Sequence, residues 1–323
     1  MEELTYDNMM ALVKKYCDIL PGLTPETKYK MEAICTPDCV FPYPDGQTEA
    51  DHVAAHHETY RAYLHYEPWP LCIMVDERKK LADCVLCEEA RHPLTGEIVK
   101  DAFDKYEPGL GGVSYMREVY EFTLHEGKVK IKNIFFSPID TKGMAWKRWC
   151  NVARHSPEGI EEGLTYEKMM AVTKKYCDLL PGLIPQTKYK MEAICTPDYV
   201  SSYWMGQTEA DHVSEHYQEY RAYLHYEPMP LYIMVDERKK MSSTMFCEES
   251  RDPLTGKLVK GMGGYNTIKG KREGTPTSDT AYMRQIFEFE LHEGEVKIKT
   301  VMGGASVDPN STEWKNWRDL AKH

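Results

Sequence analysis

The groups in this chain best suited to chemistry are a few histidines and carboxylates set among aromatic residues. In DHVAAHHETYRAYLHYEP, Val53, His57, Tyr60 and Leu64 recur at i, i+4, i+7 and i+11, the spacing of one apolar helical face. A histidine on such a face can act as a general acid or base near neutral pH. The plainer alternative is a core histidine satisfied by a backbone carbonyl. His56 lies about 100° further round the same predicted helix, and His216 holds its place in the second half of the chain. Further on, Met116, Glu118, Tyr120, Phe122 and Leu124 alternate along one strand face. If that face lines an interior, Glu118 is an acid in apolar surroundings whose proton affinity should rise, which suits proton transfer. Otherwise it is a partly solvated strand-end acid paired with Lys or Arg.

These positions occur twice, because the chain is a tandem repeat. LTYDNMMALVKKYCDILPGL from Leu4 returns as LTYEKMMAVTKKYCDLLPGL from Leu164, and 68 of the 97 residues at 4–100 are identical to those at 164–260. A period this long is domain duplication rather than a solenoid of short units. The predicted organisation is a first domain at 1–154, a linker at 155–163 and a second domain at 164–323. Divergence within so close a repeat is informative. Tyr217 replaces His57, and Gln285, which cannot relay a proton, replaces Glu118. Phe41-Pro42-Tyr43-Pro44-Asp45 becomes Ser201-Ser202-Tyr203-Trp204-Met205, with Tyr43 and Tyr203 kept as hydroxyl donors. Pocket walls that hold different things, or simple packing drift, would both produce such changes.

The elements that must position these groups follow one plan in each copy. Thr5 or Thr165 caps a first helix that ends at Pro21-Gly22 in the first copy. A short second helix follows from Pro25, and a short strand is predicted over Val40 to Tyr43. Gln47 to Tyr66 reads as a third helix, opened by Thr48 with Asp51 three residues on, a capping-box-like start. Hairpins are expected around Asp76-Glu77-Arg78 and around His125-Glu126-Gly127. Ala145 to Ala153 reads as a closing helix. Helices first and a long antiparallel sheet afterwards give an α+β layout.

Composition narrows the function. Of 323 residues, 42% are hydrophobic and 28% charged, a globular balance. Forty Lys and Arg against 51 Asp and Glu leave a net charge of −11, which disfavours nucleic acid as a partner. No apolar run approaches the roughly 20 residues of a membrane span, and the N-terminus lacks the pattern of a signal peptide, so a cytoplasmic location is expected. Cys84 and Cys87 form one CxxC, but the second copy has Thr244 and Cys247 there, so no metal is expected. There is no GxSxG, Walker loop, GxGxxG or HExxH, which argues against hydrolase, NTPase, nicotinamide and zinc-protease chemistry.

The order of elements, the first helix with Tyr16, the CTPDCVF strand and above all YEFTLHEGKVKIKNIFFSPID resemble the SnoaL-like polyketide-cyclase branch of the nuclear transport factor 2-like superfamily. The resemblance implies two tandem cone-shaped α+β domains, each a curved antiparallel sheet wrapped on about three helices with a pocket at the wide end. Relatives often pair through the sheet face, so the two copies are expected to pair within the chain as a pseudo-dimer, with further homo-oligomerisation left open. A one-layer sheet must in any case bury its second face on something. Dehydratase relatives use a Tyr near the first helix, which points to Tyr16. Cyclase relatives place a working carboxylate at the end of the final strand, which points to Asp140; the alternative there is a cap for the last helix.

The resulting expectation is a cofactor-free acid–base isomerase, cyclase or dehydratase acting on a small apolar polyketide- or terpenoid-type metabolite. His57, Glu118, Asp140 and His216 are the expected proton handlers. Tyr16, Phe41, Tyr43, His56, Tyr60, Tyr120, Tyr203, Trp204 and Tyr217 are the expected substrate contacts. The rival reading is a non-catalytic ligand-binding or protein-interaction module of the same fold. Solvent-inaccessible acids would favour the enzyme.

Overall fold

The computed structural model describes residues 2–20, 23–24, 26–41, 48, 51, 55, 63–67, 73–102, 112–138, 159–179, 186–201, 223–227, 233–252, 254–257 and 280–307. The chain divides into two compact units, Met1–Ile139 and Asp140–His323. That division falls in a stretch outside the described residues, and the linker at 155–163 remains a reading of the sequence.

In the first unit, α1 (Tyr6–Ile19) starts where its cap residue predicts, with the Asn8 N–H donating to Thr5 Oγ1 at 3.3 Å. It ends two residues before Pro21, which has no N–H to extend the ladder, while Leu20 still holds helical backbone with its N–H on the Tyr16 carbonyl. Met9, Leu12, Val13, Tyr16 and Cys17 make its buried stripe. The short α2 (Tyr29–Glu32) follows, and then strands β1 (Cys35–Val40), β2 (Tyr63–Glu67), β3 (Ile73–Asp76), β4 (Leu81–Arg91), β5 (Val113–His125) and β6 (Lys128–Pro138). They form one six-stranded sheet in the order β1-β6-β5-β4-β2, with β3 also paired to β4. The helix lies against β3, β4 and β6.

The second unit repeats this with α3 (Tyr166–Leu179), α4 (Tyr189–Glu192), β7 (Cys195–Ser201), β8 (Tyr223–Glu227), β9 (Ile233–Asp236), β10 (Met241–Arg251), β11 (Thr280–His292) and β12 (Glu295–Val307). Each unit is therefore α+β, as expected.

Both predicted hairpins form. The β5–β6 turn places Glu126 and Gly127 at φ 51° and 74°, and the β11–β12 turn places Glu293 and Gly294 at 53° and 80°. Two successive positive φ values match the right-handed twist of the flanking strands, and glycine takes the second without a steric cost. In the β3–β4 turn the buried Asp76 carboxylate accepts the Lys79 N–H at 2.9 Å, and Asp236 does the same for Lys239.

Three expectations need correction. The sheet is mixed rather than antiparallel, because β1 pairs with β6, and β7 with β12, in parallel. The first strand lies at Cys35–Val40, ahead of the predicted Val40 to Tyr43. Pro37 does not forbid it, since an edge strand can spare an N–H and this pairing carries a register shift. The third helix does not reach Tyr66. Asp51 and Ala55 are helical, but Tyr63–Glu67 is a strand paired antiparallel to β4. Leu64 therefore does not continue a helical face with His57. YLHYE satisfies either period over so short a span, and the free edge of β4 decides the outcome.

The cap predicted for that helix is present. Thr48 and Asp51 exchange hydrogen bonds, with Asp51 N–H to Thr48 Oγ1 at 3.1 Å and Thr48 Oγ1 to the Asp51 carboxylate at 2.9 Å. Burial pushes the Asp51 carboxyl up, but hydrogen bonds from Thr48 and Lys28 outweigh it and leave the group below its ordinary range. Among the described residues no helix is long and apolar enough to cross a membrane.

Candidate functional site

The strand pattern puts Glu118, Tyr120 and Phe122 on one face of β5, and all three are buried. This face meets α1. The Tyr16 ring stands edge-on to Tyr120, with centroids 5.2 Å apart and planes at 72°. Tyr120 also stacks towards Phe122 at 6.4 Å. Phe41 belongs to the same hydrophobic core as Tyr16 and Tyr120. Four of the predicted site residues are thus brought into one region.

Glu118 is 1% exposed and lies in the middle of its strand rather than at a solvated end. Its carboxylate Oε2 accepts a hydrogen bond from the Tyr120 hydroxyl. Burial, and after it the charge of Glu118, push the Tyr120 phenol well above its ordinary range, so that it remains a neutral donor. Directly opposite Glu118 on β4 sits Cys84, buried, with its thiol pointing at the Val85 carbonyl at 3.8 Å. Burial, followed by the neighbouring Cys17, Glu118 and Asp83, pushes that thiol up as well. The Glu118 carboxyl thus has the neutral Tyr120 hydroxyl as a donor and the Cys84 thiol opposite it on the sheet. Such a carboxyl can accept a proton from a substrate and return it, while the phenol holds its charged form.

Cys17 and Cys84 were absent from the expected site. Helical spacing signals Cys17, one residue after Tyr16 on the buried stripe of α1, but Cys84 faces Glu118 only through the β4–β5 register, which no local signal gives. The remaining predicted residues, Tyr43, His56, His57, Tyr60, Asp140, Tyr203, Trp204, His216 and Tyr217, lie outside the described residues.

The corresponding place in the second unit is chemically different. Gln285 and Phe287 stand where Glu118 and Tyr120 stand, and both are fully buried. Phe287 keeps the edge contact to the first helix, with Tyr176 at 4.9 Å and 73°. Thr244 replaces Cys84 opposite Gln285. Thr173 and Ser242 replace Val13 and Ala82 and are hydrogen-bonded at 2.8 Å. Burial, with Asp178, pushes the Cys177 thiol up to about 12, while the Thr244 hydroxyl pulls the other way. Among the described residues no three His, Cys, Asp or Glu side chains converge as metal ligands in either unit.

No protein-family model matches this chain, and no curated protein matches it. Among solved structures it is similar to a proposed polyketide cyclase of Xanthomonas campestris pv. campestris, at 8% identity over 48% of this chain and 97% of that one, with a TM-score of 0.28. It is similar to an NTF2-like protein of Cytophaga hutchinsonii, at 16% identity over 43% of this chain and 100% of that one, with a TM-score of 0.27. It is also similar to the Δ5-3-ketosteroid isomerase of Mycobacterium sp., at 15% identity over 39% of this chain and 89% of that one, with a TM-score of 0.25.

Proposed function

We propose that the first unit is a cofactor-independent acid–base catalyst, an isomerase, cyclase or dehydratase, acting on a small apolar oxygenated metabolite of polyketide or terpenoid type. The observation that supports this best is the buried Glu118–Tyr120 pair, an acid withdrawn from solvent and held by a phenol that stays protonated. In this reading Glu118 takes a proton from carbon next to a substrate carbonyl and returns it at another position. Tyr120 stabilises the carboxylate before the first transfer and again after the second. Tyr16 and Phe41 supply apolar walls, and His57 and Asp140 remain proposed participants.

We also propose that the two copies pair within the chain. For the second copy, Gln285 and Phe287 favour the rival reading of a binding module, since neither can move a proton at neutral pH.

The test is hydrogen–deuterium exchange into a panel of small cyclic and β,γ-unsaturated ketones, followed by NMR with the full chain. Exchange should be enzyme-dependent and should fall by about 100-fold or more in Glu118→Gln. An undiminished rate in that variant removes the proposal.

A further inference from the structure

A row of facing residues crosses each sheet on its helix-covered side. In the first unit it runs Ile73, Cys84, Glu118, Phe136, and in the second Ile233, Thr244, Gln285, Gly303. The exchanges are coordinated. A carboxyl becomes a carboxamide, a thiol becomes a hydroxyl, and a phenylalanine gives way to glycine. The ionisable groups are gone, yet Gln285 is not an apolar filler. It is fully buried, and neither its Oε1 nor its Nε2 has a hydrogen-bond partner among the described residues. Buried carboxamide groups are rarely left dry, because the lost hydration is not repaid. Leucine or methionine would occupy similar volume without that penalty. Beside it, Gly303 presents no side chain at the facing position, and a glycine inside a strand lets another molecule approach the backbone closely.

We infer that Thr244, Gln285 and Gly303 form a binding position in the second unit for a small neutral group carrying an acceptor and a donor side by side, such as a carboxamide or lactam. Gln285 Nε2 donates to its carbonyl and Oε1 accepts from its N–H, with Gly303 facing Gln285 across the β11–β12 pair. A carboxamide neither takes nor gives a proton at neutral pH, so this position binds without turnover. The inference rests on Gln285 and not on the catalytic role proposed for Glu118, although the two together assign different tasks to the copies.

The experiment is a ligand-detected saturation-transfer NMR titration of the full chain with 2-pyrrolidinone. Cyclopentanone, which has the acceptor but no donor, is the matched control. Saturable 2-pyrrolidinone binding is expected, weakened about tenfold in Gln285→Leu and similarly in Gly303→Val, with cyclopentanone about tenfold weaker on the unaltered chain. Gln285→Met, nearer in shape, replaces the leucine variant if that one does not fold. Absence of saturable binding, which is the result if only ordered water sits beside Gln285, overturns the inference. So does equal affinity in the Gln285 variants. No turnover is measured, so loss of ketone exchange in the earlier test leaves this result standing, and the reverse also holds.

Discussion

Tyr120→Phe removes one oxygen from the core of the first unit and leaves the ring in place. The edge contact to Tyr16 at 5.2 Å and the stacking on Phe122 therefore survive, and what is lost is the hydrogen bond to Glu118. Both partners are buried, at 1% and 0% exposure, so water does not replace the missing donor. A bond to a charged acceptor contributes about 1.5–3 kcal/mol, and that is the expected loss of stability. Glu118→Gln keeps an acceptor for the phenol and should cost about 0.5–1.5 kcal/mol, the worth of a neutral bond. The double variant reproduces the Gln–Phe pair that the second unit already carries, so the two losses should not add. A coupling energy of about 1–2 kcal/mol is expected from the cycle. Urea unfolding of the full chain at pH 7 measures it, with Gln285→Glu and Phe287→Tyr as the reverse set. Losses that add to within about 0.5 kcal/mol would show that the hydroxyl and the carboxylate do not act on each other, and the account of the site would fall with them.

Four further outcomes follow from the same physics. Burial raises Tyr120 and Cys84 above their unfolded values, so their contribution to stability is complete below those values and is lost as pH rises through the folded ones. Urea midpoints should accordingly fall from about pH 8.5 upward, less steeply in Cys84→Ala, and a flat profile to pH 11 would contradict the burial. Asp51 is lowered, so the Thr48–Asp51 cap stabilises above its unfolded value near pH 3.9 and fades as pH falls below it. Thr48→Ala should cost about 0.5–2 kcal/mol at pH 7 and much less at pH 2.5, read from denaturant midpoints. In the second unit, Thr173→Val strands the Ser242 hydroxyl and should cost about 1–3 kcal/mol, while Thr173→Val with Ser242→Ala, the pair present in the first unit as Val13 and Ala82, should be close to neutral by thermal melting. Val119→Asp places a charge on the buried outer face of β5 and should lower the melting temperature sharply; a change under about 0.5 kcal/mol would mean that face is wet.

Much of the local structure was written in short stretches of sequence. The Thr5 cap, the Thr48–Asp51 pair, both hairpins and the alternation that puts Glu118 beside Tyr120 depend on residues within a few positions of each other, so periodicity and turn chemistry suffice to find them. The repeat is likewise visible from identity alone. YLHYE was not legible, because five residues fit a helix and a strand equally well until the edge of β4 is present to receive them. The parallel pairing of Cys35–Val40 with β6 was not legible either, since Cys35 faces Ile131, far away in the chain, and nothing local signals a partner at that distance.

The sequence by itself therefore determined that there are two copies, where their turns and caps fall, and that one copy has an acid where the other has an amide. Only the tertiary structure decided that this acid is buried, that the Tyr120 hydroxyl supplies a hydrogen bond to it, and that Cys17 and Cys84 stand near it. Burial and side-chain hydrogen bonds arise from segments that meet only when α1 closes over the sheet, and one strand's pattern cannot record which residues another element brings against it.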